Sequence, residues 1–294
     1  MNRRSFIQSA VASSTALGRF NLAAQNSQGK PDICIFTKPF QYLNYSDYAD
    51  LIAEIGADGV ELPVRPKGHI LPETAADELP KMVEELKKRD LNVTILASGI
   101  NSIDSPHAEK VLRTAVVCGI RQYRILHYRY NLNEDIIPQI EGFKSKMIDL
   151  AAMNKEIGIQ GLCQNHSGSS YFGAPLWDLF SCLKDLDKKY IASAFDIGHA
   201  SIEGGKSWRI QQKLFEDYTA AVYVKDPSSK NGRFGWKPFG QGIIKQSFFD
   251  NVKKSGFKGP YSLHVEYLGR DKKDFAAIVA AFKKDLKALR SIVG

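Results

Sequence analysis

Residues 191–200 read Ile191-Ala192-Ser193-Ala194-Phe195-Asp196-Ile197-Gly198-His199-Ala200. Strand side chains alternate between two faces. Ile191, Phe195 and Ile197 then share one face, and Ala192, Ala194 and Asp196 share the other. The first face is bulky and apolar. The second is small and ends in a charge, with a glycine and an imidazole just beyond it. A strand of this kind has helices on its outer side and a narrow lumen on its inner side.

Seven further runs share the character, at residues 33–36, 59–63, 92–97, 122–127, 159–165, 220–225 and 261–266. Amphipathic segments separate them. Residues 73–89 carry Leu79, Met82, Val83 and Leu86 at helical spacing, residues 135–157 continue the pattern, and residues 272–292 carry Phe275, Ile278, Val279, Phe282, Leu286 and Leu289. Gly56 and Gly158 sit where helix C-caps belong, and Ser46 and Asn133 where N-caps belong. Strand alternating with helix calls for a parallel sheet. Eight such units in ~250 residues predict an α/β protein of the (β/α)8 TIM barrel type. A doubly wound sheet would carry a Gly-rich phosphate turn after its first strand; here that turn reads Thr37-Lys38-Pro39-Phe40.

Extending the alternation to other strands predicts the contents of the lumen. Val60 and Leu62 face out and Glu61 faces in. Ile159, Gly161 and Cys163 face out, so Gln160, Leu162, Gln164 and His166 face in. Val222 and Val224 face out against Ala221, Tyr223 and Lys225; Leu263 and Val265 face out against Ser262, His264 and Glu266. His199 joins this set at the rim. Barrel enzymes keep their sites at the C-terminal ends of the strands. Carboxylates, imidazoles and a lysine therefore converge on one cavity, where carboxylates repel unless a cation or proton lies between them. Several of these residues also have purely structural readings. Glu61 pairs with Arg65 or Lys225, His127 and His166 are satisfied lumen histidines, and Asp226, on the helix side, caps or forms a salt bridge. Tyr123, Tyr128 and Tyr130 pack, or with Arg129 line a sugar-stacking rim. The loop Trp236-Lys237-Pro238-Phe239 is read as a lid, a sugar platform or an oligomer contact.

The 294 residues form 44% hydrophobic, 24% charged sequence with a formal charge of +8, so the chain has material for a full core. Residues 1–24 hold Arg3, Arg4 and Arg19 and no acid, and without those three arginines the balance is +5. No long basic run speaks for nucleic acid. The pair Arg3-Arg4, followed by Phe6-Ile7 and an Ala/Ser-rich stretch, resembles a twin-arginine export signal. The expected organisation is a signal peptide at 1–24, a linker at 25–31 and one barrel domain at 32–294, in an exported, periplasmic protein without a membrane span. Cys34, Cys118, Cys163 and Cys182 show no CxxC spacing and read as free thiols, with one disulfide left open for an exported chain.

The segments Asp58-Gly59-Val60-Glu61-Leu62, Gln164-Asn165-His166-Ser167-Gly168, Phe195-Asp196-Ile197-Gly198-His199-Ala200, Val224-Lys225-Asp226, Gly240-Gln241-Gly242 and Glu266 follow one another in consistent order. In this order the chain resembles the xylose isomerase-like superfamily of sugar isomerases and epimerases, which also has an endonuclease branch acting on abasic DNA. The resemblance implies one divalent metal at the mouth, held by a Glu, an Asp, a His and a second Glu, with the two Glu shuttling a proton between sugar carbons. The Asp falls on Asp196, the second Glu on Glu266, and the His of the Asp-x-Gly-His motif, which contacts substrate, on His199. Two positions depart. Gln164 stands where the first Glu belongs and Tyr223 where the His belongs. Gln offers no charge and cannot act as a base, and neutral Tyr is a poor ligand. The expected metal set is Asp196, Glu266, Gln164 and His264, although His264 lies ~7 Å deeper than Glu266. Its oxygens favour Mn2+ or Mg2+ over Zn2+, in a site that the two departures weaken or remove.

The resemblance thus implies an exported isomerase- or epimerase-like enzyme for a non-phosphorylated sugar or keto-sugar. Glu266, His199 and Lys225 are its expected catalytic residues; Glu61, His166, His199, Lys225 and Trp236 are expected to meet substrate. A one-base elimination on a keto-glycoside is the first alternative, because Gln164 removes a base. A carbohydrate-binding barrel without chemistry is the second. Six histidines are too few for the metal cluster of the endonuclease branch. The expected partner is a small carbohydrate, not nucleic acid, with a homo-oligomer left open.

Overall fold

A computed structural model describes residues 31–231, 233–268 and 274–294. The expected export signal and all but the last residue of the expected linker lie outside the described residues. Eight parallel strands close into a ring: β1 (Ile33–Phe36), β2 (Gly59–Val64), β3 (Asn92–Ser98), β4 (Gln122–Arg124), β5 (Gln160–Gln164), β6 (Ile191–Asp196), β7 (Thr219–Val224) and, last in the chain, β10 (Tyr261–Leu263). Strand β1 pairs with β2 on one side and with β10 on the other, which completes the barrel. An antiparallel hairpin of β8 (Asp226–Lys230) and β9 (Arg233–Lys237) stands apart from the ring.

The intervening helices are α1 (Tyr45–Ile55), α2 (Ala75–Lys87), α3 (Ala108–Val117), α4 (Ile136–Ile157), α5 (Trp177–Leu183), α6 (Ile197–Gly204), α7 (Trp208–Phe215), α8 (Gln246–Lys254) and α9 (Phe275–Val293). Gly56 and Gly158 end α1 and α4 in the left-handed conformation, at φ 83° and 84°, as their positions predict. The N-caps differ from expectation. Asn44, not Ser46, caps α1 by accepting the Asp47 N–H, and α4 begins after Asp135 rather than Asn133. Strand β4 is shorter than expected and stops at Arg124.

Val60, Leu62, Phe195, Val222 and Leu263 point out into the layer shared with the helices. The lumen is filled by Cys34, Ile95, Leu162, Ala192, Ala194, Ala221 and Tyr223. Three alanines leave the room that the buried Tyr223 ring occupies. All four cysteines are free thiols. No helix among the described residues is long and apolar enough to cross a membrane.

One buried amide ties helix to sheet. Asn154 of α4 accepts the Tyr123 hydroxyl at 3.1 Å and donates to the Tyr190 carbonyl at 2.9 Å. Asn154→Ala leaves the Tyr123 hydroxyl unpaired in the core, while the Tyr190 carbonyl keeps the Gly161 N–H, and is expected to cost roughly 1–3 kcal/mol in urea unfolding. A loss below about 0.5 kcal/mol, the range of a neutral surface change, would show that the tie carries no load.

Candidate active site

The strand ends deliver a continuous chain of charged and polar groups to the barrel mouth. Glu61, from β2, accepts the Ser262 hydroxyl at 2.6 Å and meets His264 Nε2 at 2.9 Å. Its other oxygen lies 3.1 Å from Arg124 Nε. Arg124 then donates to Gln164 Oε1 at 2.7 Å, and Gln164 Nε2 donates to Asp196 Oδ2 at 2.8 Å. Lys225, just past β7, sets its ammonium 3.4 Å from Asp196 Oδ2 and 3.4 Å from Glu266 Oε1. His264 Nδ1 faces the same Glu266 oxygen at 3.7 Å. Asp196 is held by its neighbours: its backbone N–H donates to Asn165 Oδ1, its carbonyl accepts from Asn165 Nδ2, and its Oδ1 accepts the His199 N–H. That last bond also caps helix α6.

Burial makes these charges interdependent. Glu61, Asp196, Lys225 and His264 are all buried. Desolvation alone would raise the Glu61 carboxyl, but Arg124, His264 and Ser262 outweigh it and hold it at about 2. Glu266 reaches the rim with 37% of its side chain exposed. Burial opposes its charge too, yet Lys225 and His264 keep it well below the usual carboxylate range. For His264 burial works against the proton and the Glu61 charge wins, so its pKa rises.

A second group of side chains lies beside this chain. The His199 and His166 rings stand 3.9 Å apart, and His166 and His127 stand 4.9 Å apart. Ser167 links the first two: its hydroxyl lies 2.7 Å from His199 Nδ1, and its carbonyl 2.8 Å from His166 Nδ1. Burial and the Lys225 charge push His199 well below its ordinary value, and the same two causes take His166 down to about 4. Burial and Arg124 lower His127 likewise. His199 Nε2 is buried with no hydrogen-bond partner among the described residues; Asp196 Oδ2, at 3.8 Å, lies near it.

The hairpin covers both groups. Trp236 meets His199 edge to face at 5.3 Å, and the Lys225 ammonium lies 4.9 Å from the Trp236 ring centre. Gly198 permits this closeness. A Cβ there would come within 2.4 Å of the Lys225 carbonyl and 3.1 Å of Trp236. Asp226 fixes the hairpin's base by accepting the N–H groups of Gly240, Gly242 and Ile244. It therefore has the structural task that its outward face predicts. Other clefts lie between α7 and α8, and beneath β4 and β5 next to Gln122, Gln160 and Lys188, away from this mouth.

The four residues expected as metal ligands meet at the mouth, but Gln164 Oε1, His264 Nε2, both Asp196 oxygens and Glu266 Oε1 are engaged by other side chains or backbone, while His264 Nδ1 has no hydrogen-bond partner among the described residues. A guanidinium only donates and a carboxylate only accepts. Arg124 and Asp196 therefore force Gln164 to turn its N–H, not its carbonyl, toward the Asp196 side. His264 Nε2 belongs to Glu61, and Lys225 spans Asp196 and Glu266. The buried Tyr223 hydroxyl has no hydrogen-bond partner among the described residues. Among those residues no group of three or more His, Cys, Asp or Glu is placed to hold a metal ion. The donor set does not fit a divalent cation.

Glu61, Gln164, Asp196, Lys225, His264 and Glu266 thus lie in one network, with His199, His166 and Trp236 against it. Glu61 pairs with Arg124, rather than with Arg65 or Lys225 as its structural reading had it. Arg124 is the residue that the sequence reading passed over. Tyr123 packs outward, so alternation through β4 places Arg124 in the lumen; the sequence reading assigns no faces to this strand, to β1 or to β3. Tyr123 and Tyr128 pack in the core, as expected.

Comparison with known proteins adds the family. The profile described as xylose isomerase-like TIM barrel matches residues 49–292. Among solved structures, a 3-keto-D-glucoside 4-epimerase from E. coli superposes with TM-score 0.67 at 16% identity, over 89% of this chain and 100% of that one. A D-psicose 3-epimerase determined with D-fructose gives 0.67 at 13% identity, over 90% and 99%. A xylose isomerase-like TIM barrel protein from Mycobacterium smegmatis, in complex with magnesium, gives 0.64 at 15% identity, over 92% and 100%. At these identities the likeness is one of fold. No curated protein matches the chain significantly.

The Glu61 pairing yields a stability test. A carboxyl at about 2 in the folded chain stabilises the fold in full above its ordinary 4.5, and that contribution is lost as pH falls toward 2. Glu61→Gln leaves the Arg124 charge buried alone and is expected to cost about 3 kcal/mol at neutral pH. It should also flatten the fall of the urea midpoint between about pH 5 and 3. An unchanged midpoint and acid slope would contradict the pairing.

Proposed function

We propose, from the premise that this chain belongs to the xylose isomerase-like TIM barrel family, that it is an enzyme moving a proton on the carbon beside a carbonyl. Its substrate is a non-phosphorylated sugar or keto-sugar, and its reaction an isomerisation or epimerisation. The carrying observation is His199: a buried imidazole with an unpaired Nε2, next to a carboxylate that also holds the Lys225 ammonium, and with its pKa lowered by burial and by that ammonium.

A base needs a free lone pair and a proton-ready neighbourhood. With its Nδ1 proton donated to Ser167 Oγ, His199 presents the Nε2 lone pair. Nε2 takes the proton from the substrate carbon, and the C–H electron pair moves onto the carbonyl oxygen. Lys225 meets the charge that develops there. Asp196 Oδ2 stabilises the imidazolium that forms. Returning the proton from Nε2 to the neighbouring carbon, while the hydroxyl proton passes between the two oxygens through the Lys225 ammonium, completes an isomerisation; in an epimerisation solvent water protonates the opposite face and His199 releases its own proton to solvent. Glu266 is a weak base while Lys225 and His264 hold its charge; its part is to orient the ammonium. The half-buried Trp236 offers a flat face to the sugar ring, and His166 borders the same space. A one-base elimination on a keto-glycoside is the second reading. Gln164 favours it, since a carboxamide stands where a second carboxylate base would be needed.

Incubation of the full chain in D2O with aldoses, ketoses and 3-keto-glycosides tests this. Proton NMR is expected to show deuterium entering the carbon beside the carbonyl, and His199→Ala to slow it by about 100-fold or more. The acid limb of kcat/KM should lie below 6.5, since a base with a lowered pKa stays neutral to lower pH. No exchange or turnover with any of these compounds would overturn the reading. Export completes the proposal and rests on Arg3-Arg4 and the stretch after them. Replacing both arginines by lysine is expected to keep the chain in the cytoplasm of a bacterial host with a twin-arginine translocase; unchanged export would contradict it.

A further inference from the structure

We infer that Lys225 is this barrel's resident cation, and that the mouth excludes a divalent metal instead of recruiting one. The inference shares its location with the proposed function but is measured without substrate, so either stands or falls alone.

Glu61, Asp196 and Glu266 put three carboxylates at one mouth, two of them fully buried. Such groups need positive charge among them. The chain supplies it from its own side chains, with His264 between Glu61 and Glu266. Arg124 lies against Glu61, and Lys225 lies 3.4 Å from one oxygen each of Asp196 and Glu266. A metal binding the same two oxygens would approach each to about 2.1 Å. It would then sit beside an ammonium among side chains buried from solvent, where like charges repel strongly.

The ammonium is also fixed in place. Its side chain is 3% exposed, so bulk water offers no alternative position without unpacking. The Trp236 ring covers it, and the missing side chain at Gly198 lets that ring close down. Swinging Lys225 out to admit a metal would break two ion pairs and the aromatic contact together. Gln164 adds a further obstacle. Its carbonyl is turned to Arg124, so its N–H groups face the space beside Asp196. Lys225 and Gln164 therefore exclude the metal jointly, one by charge and one by the sign of its dipole.

Mn2+ titration of the full chain, read by the electron paramagnetic resonance of free Mn2+, tests this directly. The wild-type chain is expected to leave the free-ion signal undiminished at equimolar Mn2+. Lys225→Met keeps the side-chain volume and frees both carboxylates; it is expected to bind Mn2+ at least about tenfold more tightly than wild type. Adding Gln164→Glu should tighten binding by about tenfold again. Lys225→Ala is the second variant, and circular dichroism confirms the fold of each. Stoichiometric Mn2+ binding by wild type that Asp196→Asn abolishes would overturn the inference. So would folded Lys225→Met, Lys225→Ala and the double variant that all leave the free-ion signal unchanged.

Discussion

Three carboxylates crowd the end of one narrow barrel, and the rest of the mouth is arranged around how their charge is met. The decisive contact is the Lys225 ammonium, 3.4 Å from Asp196 and 3.4 Å from Glu266. It depends on the strands that bring these residues together, since Asp196 ends β6, Lys225 follows β7 and Glu266 follows β10, and these three strands are adjacent in the ring. It also governs what surrounds it. The charge lowers His199 and His166 after burial has done so, which leaves neutral imidazoles beside a fixed cation. In the proposed reaction these are the base and the electrophile, side by side without neutralising each other.

The hairpin β8–β9 connects this electrostatics to shape. It branches from the chain directly after Lys225, so the lysine and its cover are positioned by the same backbone. Asp226 anchors the hairpin's base on three backbone N–H groups. Trp236 then lies over both Lys225 and His199. The aromatic face covers the ammonium, and burial from solvent strengthens each ion pair it makes.

Much of this was legible in the sequence for a physical reason. A strand buried on both sides writes its two faces in residue size, as Ile191 and Phe195 do against Ala192, Ala194 and Asp196. The same rule put Glu61, Gln164, Lys225, His264 and Glu266 in the lumen, where the structure has them. It was silent where the pattern is short. Strand β4 has three residues, and Arg124 at its end is as compatible with a solvated rim as with a buried ion pair. Alternation also gives direction but not partner. It placed Gln164 near Asp196 without showing which end of the amide faces which neighbour; that follows only when Arg124 is seen on the other side. The caps shifted for a similar reason. Asn44 and Ser46 are both good cap residues, and only the backbone geometry at Asn44 decides between them.

The account rests on what lies between Asp196 and Glu266. Crystals of the full chain soaked in Mn2+ and measured at the manganese absorption edge report that position directly. The account predicts no anomalous peak there, with the Lys225 ammonium in density about 3.4 Å from both carboxylates. An anomalous peak bridging Asp196 and Glu266, with Lys225 turned away, would contradict it.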